Sequence, residues 1–242
     1  PVEVVLRKAL VILNKMTLEK FDRLSQQFMN VGLDNDEILR EVVSILVSKG
    51  QVESHFAAMY SQLCKCLATA PQLGSVEELP AKKFRKMLLV KCQHEFEKDQ
   101  VEVLREIQAN LLVLVLILML THLLPRYTGT MIFIGELFKV ELLKENIIHE
   151  SINDLFGSGM DDIDEEKLEC MVKLMSTVGK KLDAGADPKV MKRYFKRMKK
   201  LSEMPELSAR IRFALRDLID LRSNKWAPRL KTDKAKTIAE IH

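Results

Sequence analysis

The chain has 242 residues, 47% hydrophobic and 30% charged, with only nine glycines and seven prolines. That is enough for one large or two small domains with a sizeable core, and too few turn formers for a strand-rich sandwich. The net charge of +4 is unevenly placed: 18 lysines and arginines stand against 8 carboxylates from Lys180 to His242, and 20 against 26 before it. Cys64, Cys66, Cys92 and Cys170 form no CxxC pair, which excludes a zinc ribbon and a disulfide framework and points to reduced, intracellular thiols. The opening PVEVVLRKALVIL has no initiator Met and no basic n-region with a cleavage site, as expected of a piece cut from a longer protein.

Apolar residues recur at helical spacing along almost the whole chain, as in Val5, Ala9, Ile12 and Leu13, then Phe21, Leu24, Phe28 and Val31, then Ile38, Val42, Ile45 and Leu46. Asp34 with Glu37 has capping-box form, Asp187 precedes Pro188, and Pro80 and Pro205 suit first turns. These signals predict helices near 2–14, 18–31, 35–49, 53–69, 81–98, 130–143, 145–156, 163–178, 187–201 and 206–222. Paired in order they make about five hairpins at the spacing of helical-pair repeats. The expected fold is all-α, either an α-solenoid or an irregular bundle.

Nothing nominates a catalytic centre, a cofactor or a metal. GxxxxGK[ST], GxGxxG, HExxH and GxSxG are absent, and the five histidines are scattered singly. The acidic run MDDIDEEKLE lacks the ligand alternation of an EF-hand loop and is expected to serve the N-terminus of the helix that follows.

PKVMKRYFKRMKK sets Lys189, Lys192, Arg193, Lys196, Arg197, Lys199 and Lys200 against Val190, Met191, Tyr194, Phe195 and Met198. Such a face fits RNA phosphates; the plainer alternative is a core-facing aromatic stripe with lysines solvating the outside. Basic charge continuing through Arg210, Arg212, Arg216, Arg222, Lys225, Arg229 and Lys231 tilts the balance toward nucleic acid. In SARIRFALRDLIDLRSNKWAPR, Ile211, Leu215 and Leu218 make a core stripe, and Trp226, the single tryptophan, is expected to pack the end of a domain.

Five blocks in order, LVILNKMTLEKFDRL, FRKMLLVKCQHEFE, FIGELFKVELL, LECMVKLMSTVGKKLD and SARIRFALRDLIDLRSNKWAPR, resemble the middle domain of eukaryotic translation initiation factor 4 gamma, a MIF4G-type domain. The resemblance spans nearly the whole chain except about 99–128. It implies a single domain over 1–242, an α-solenoid of about five HEAT-type hairpins, no catalysis, and a cytoplasmic scaffold. It further implies docking and stimulation of the DEAD-box initiation helicase, RNA contact, and contact with the multisubunit factor that recruits the small ribosomal subunit. By position, the helicase's two lobes would meet a first-repeat edge carrying Leu6, Leu13, Asn14 and Lys15 and a last repeat around Arg222, Lys225, Trp226 and Arg229.

Where the family carries a charged connector inside the third repeat, this chain has an uncharged stretch from Ile107 to Pro125 with ten consecutive apolar residues from Leu111 to Leu120. As a helix it approaches a bilayer's thickness. Spanning would put the two helices of one hairpin on opposite sides of a membrane, so an extra buried helix is the leading expectation. A partner- or lipid-docking surface comes second, and a segment without a selected role third. Two rival functions remain: a MIF4G-type scaffold of RNA processing or mRNA decay, and a membrane-associated adaptor acting through residues 107–125.

Overall fold

The computed structural model describes residues 2–33, 35–69, 80–106, 128–157, 159, 163–185 and 187–227. The regular structure in them is helical: α1 (Val2–Asn14), α2 (Phe21–Met29), α3 (Asp36–Val52), α4 (Ala57–Thr69), α5 (Pro80–Glu106), α6 (residues 128–139), α7 (Glu145–Phe156), α8 (Glu165–Gly185), α9 (Pro188–Ser202) and α10 (Ala209–Ser223). Short 3-10 turns at Leu18–Lys20 and Ser54–Phe56 lead into α2 and α4. The expected apolar helix at 107–125 lies outside the described residues, as do Asp34 and Arg229. Among the described residues no helix is long and apolar enough to cross a membrane.

Local chemistry explains the helix starts. The Asn35 side chain caps α3, accepting from the Glu37 amide at 2.8 Å. The Asp164 carboxylate accepts from the amides of Glu166 and Lys167 at 2.8 and 3.3 Å, so the acidic run does serve the start of α8. Asp187 accepts from Lys189 at 2.9 Å with Pro188 in the first turn of α9. Pro205 starts no helix; α10 begins three residues after the expected 206, where Ser208 caps the Ile211 amide.

The chain divides into two compact units, one reaching Phe133 and the other beginning at Ile134. In the first, α1 packs on α2 and α3, α2 on α4, and α3 and α4 on α5. Helices α3 and α5 run parallel: Lys83 pairs with Asp36 at 2.6 Å near their starts, and Gln51 donates to Glu95 at 3.4 Å near the end of α3. Parallel stacking of alternate helices is what successive antiparallel hairpins produce. Phe84, Leu88 and Cys92, four apart on α5, are buried, each large apolar side chain contributing roughly 1.5–3 kcal/mol. Gly50 is needed for the approach of α6, since a Cβ there would lie 2.5 Å from the Phe133 ring.

In the second unit α7 packs on α8, and α8, α9 and α10 pack on one another. Met171, Leu174, Met175 and Val178 of α8 are fully buried and form its spine. Lys181 reaches from α8 to the carbonyls of Phe138 and Lys139 at 3.3 and 3.1 Å, placing a cation on the C-terminal end of α6.

Candidate nucleic-acid and docking surfaces

Helix α9 buries Met191, Tyr194, Phe195, Met198 and Leu201, so the aromatic stripe is core. The opposite side exposes Lys189, Lys192, Arg193, Lys196, Lys199 and Lys200. Among the described residues none of the five lysines is ion-paired. Arg193 lies 5.8 Å from the centroid of the Tyr194 ring.

Arg197 is different. Its guanidinium donates to the carbonyls of Phe156, Gly157 and Gly159 at 2.7, 3.1 and 3.0 Å and lies 5.0 Å from the centroid of the Phe156 ring. It therefore fastens the start of the connection between α7 and α8, and that connection completes a shallow concavity of about 330 Å³ lined by Gly159, Arg193, Lys196, Arg197 and Lys200. Among the described residues no carboxylate lines it, and the potential of its four cationic side chains favours an anion. Beneath, the Tyr194 hydroxyl meets His149 Nδ1 at 3.1 Å, and burial pushes the Tyr194 phenol up.

The C-terminal end of α10 is built in the opposite way. Arg222 donates from Nε and a terminal nitrogen to the two carboxylate oxygens of Asp183 on α8, both at 2.8 Å, with each side chain 25% exposed. Trp226 Nε1 donates to the same carboxylate at 2.8 Å. The indole meets the Phe195 ring edge-on at 6.1 Å, and Arg222 lies 4.3 Å from that ring's centroid. Two other α10 cations are also engaged: Arg210 pairs with Glu169, and Arg216 donates to the Ser202 carbonyl at 3.1 Å, whereas the Nε of Arg212 is buried without a hydrogen-bond partner among the described residues. Lys225 is exposed.

On α1, Asn14 and Lys15 are exposed beside a half-buried Leu6, whereas Leu13 is 2% exposed and belongs to the core. Val4, Val11 and Leu18, seven apart, are exposed apolar residues of this edge, with Leu10 beside Val11. They were missed in the sequence, as was Phe213 on α10, which is 60% exposed. The signal for Phe213 was available: with Ile211, Leu215 and Leu218 as the core stripe, residue 213 falls about 200° around the helix from 211. Among the described residues no group of three or more His, Cys, Asp or Glu side chains is placed to hold a metal ion.

A fold of successive helical hairpins such as this is that of an α-solenoid domain. The MIF4G domain family matches residues 6–225, and the chain belongs to that family as an eIF4G-type MIF4G domain. It is 38% identical to eukaryotic translation initiation factor 4G of Triticum aestivum over 98% of the chain and 16% of that protein. It is 35% identical to eukaryotic translation initiation factor 4 gamma 1 of Mus musculus over 98% of the chain and 15% of that protein. To eukaryotic translation initiation factor 4 gamma 2 of Oryctolagus cuniculus it is 37% identical over 94% of the chain and 26% of that protein. The chain thus spans about one-sixth of the first two relatives' length. Among solved structures, the MIF4G domain of Trypanosoma cruzi translation initiation factor EIF4G5 shares the fold, with a TM-score of 0.61 and 19% identity over 92% of this chain and 96% of that one.

Proposed function

We propose that this chain is a non-catalytic, cytoplasmic translation-initiation scaffold, one domain over 1–242 with an atypical insert at about 99–128, which docks and stimulates a DEAD-box initiation helicase and contacts RNA. Its relatives are named as translation initiation factors, which favours this branch over an RNA-processing or decay scaffold. A further partner on this reading is the multisubunit factor that recruits the small ribosomal subunit.

The observation that carries the RNA part is the outer face of α9, where Lys189, Lys192, Lys196, Lys199 and Lys200 stand without counter-ions among the described residues. Phosphates can replace counter-ions there without breaking any interaction of the fold. Helicase docking draws on two sets of residues. Leu6, Asn14 and Lys15, with the exposed Val4, Val11 and Leu18, make one; Leu13 supports it from the core. Lys225 and Phe213 are the exposed members of the other, with Arg222, Trp226 and Arg229 assigned beside them. A scaffold preferring one arrangement of the helicase lobes shifts their population by its differential affinity, so no residue here need donate a proton.

The test is the RNA-stimulated ATPase of a DEAD-box initiation helicase with and without this chain, alongside a pull-down. Stimulation with direct binding is the expected outcome. Binding without stimulation would limit the role to docking, and no binding by the folded chain would sink the helicase reading.

A further inference from the structure

The turn after α10 goes beyond helix termination at one residue: the Lys225 and Trp226 amides bond to the Arg222 and Leu221 carbonyls at 2.9 and 2.8 Å, a pattern that itself sets Lys225 at positive φ but does not require it of Trp226. Lys225 and Trp226 both have positive φ, 54° and 62°, a strained conformation for non-glycine residues that persists only where surrounding contacts over-determine it. The contacts that do so meet at one residue: the Asp183 carboxylate accepts from both Arg222 and Trp226. The Trp226 amide also bonds to the Leu221 carbonyl at 2.8 Å, folding the chain back over the helix end. The indole sits where α8 has no side chain, because a Cβ on Gly179 would lie 2.0 Å from the ring.

We propose that Asp183, Arg222, Trp226 and Gly179 form a strained latch, closed in the free protein, which must open before Arg222 and Trp226 can serve a partner. The two groups meet at one acceptor, so loss of the Asp183 carboxylate frees both, and release of the indole relieves the unfavourable backbone conformation of Trp226. Arg222 and Trp226 in the closed state are positioning residues for the turn, and of the three assigned α10-end residues that are described only Lys225 is displayed. The inference rests on the docking reading above for the identity of the partner, while the latch itself has an independent readout.

Trp226 is the only tryptophan, so intrinsic fluorescence reports the latch without a label. Gly179→Ala evicts the indole sterically; Asp183→Asn keeps the shape but removes the charged acceptor. Both are expected to raise acrylamide quenching and red-shift the emission, with far-UV circular dichroism unchanged. If opening is a prerequisite, both bind the helicase about tenfold more tightly than the wild type, because the competent state is already populated, and Trp226→Ala binds about tenfold more weakly. A purely structural role makes all three weaken binding alike, and that result overturns the proposal, as does unchanged quenching in both latch variants. Absence of binding by the wild type overturns the docking reading and the partner role built on it.

Discussion

Helices α9 and α10 are neighbours, both basic and both amphipathic, and they use their cations in opposite ways. The lysines of α9 face outward and are unpaired among the described residues, whereas Arg210, Arg216 and Arg222 on α10 are tied to Glu169, the Ser202 carbonyl and Asp183. The side chain type follows the task. Lysine, a strongly hydrated point charge, is inexpensive to leave in water, and arginine, with a planar fork, satisfies several acceptors at once. A basic stretch therefore measures available charge only after the acceptors on facing helices have been subtracted.

The largest effect expected from this difference concerns RNA. Reversing Lys192, Arg193, Lys196 and Lys200 to Glu should flatten the dependence of log affinity on log salt by about 0.7 for each single-strand phosphate no longer neutralised, near 2.8 for four. Stability should move by no more than about 0.5 kcal/mol, as for surface changes away from buried groups. Filter binding across a salt series reads the slope, and an unchanged slope would place RNA elsewhere on the chain.

Asp183→Ala should do the reverse. It leaves the Arg222 guanidinium and the Trp226 N–H without their acceptor, at a cost of about 2–3 kcal/mol, while the RNA salt slope stays put. Chemical denaturation followed at Trp226 measures the loss. A drop in slope comparable to that of the α9 variant would erase the distinction between the two helices.

Arg197 is the boundary case, on the exposed helix but wired like α10. Arg197→Lys keeps the charge and loses the terminal guanidinium nitrogen that reaches three carbonyls, so about 1–2 kcal/mol of stability should go with the salt slope intact. Arg197→Gln removes the charge as well; if it lowers the slope by the amount expected for one phosphate, Arg197 touches RNA and its carbonyl bonds are secondary.

What was legible in the sequence divides along the same line. Periodicity set Tyr194, Phe195 and Met198 on the side of α9 opposite its lysines, leaving core packing as one of two readings, and Asp187–Pro188 marked a helix start, because those relations act within a turn or two of helix. The cap on α3 is supplied by Asn35, whose amide oxygen accepts as a carboxylate would, while Asp34 lies outside the described residues. Leu13 was assigned to an edge that proximity in sequence cannot distinguish from the core stripe, and it is buried. The fate of Arg222 and Trp226 was hidden for a different reason: their acceptor lies 39 and 43 residues away on another helix. No local pattern carries that pairing.

The smallest effect lies at the start of α10 and separates two adjacent carboxylates. Glu165 accepts from both the Ser208 amide and hydroxyl at 2.6 Å, and those bonds hold its carboxyl below the usual range. Burial, and then the charges of Asp164 and Glu169, push Glu166 up. The signs are opposite. Glu165 contributes stability that is present above its unfolded value near 4.5 and is lost as pH falls through its lowered folded value; Glu166 carries a penalty that grows as pH rises from 4.5 through its raised folded value and persists above it. Both are screened by solvent, so each amounts to less than about 1 kcal/mol. Thermal midpoints from pH 3 to 7 should therefore fall less steeply on the acid side for Glu165→Gln than for the wild type, and rise near neutrality for Glu166→Gln. Ser208→Ala should mimic the flattened profile of Glu165→Gln and in addition lose about 1 kcal/mol at every pH through its missing cap on the Ile211 amide, so a profile merely shifted downward without flattening would separate the cap from the carboxylate.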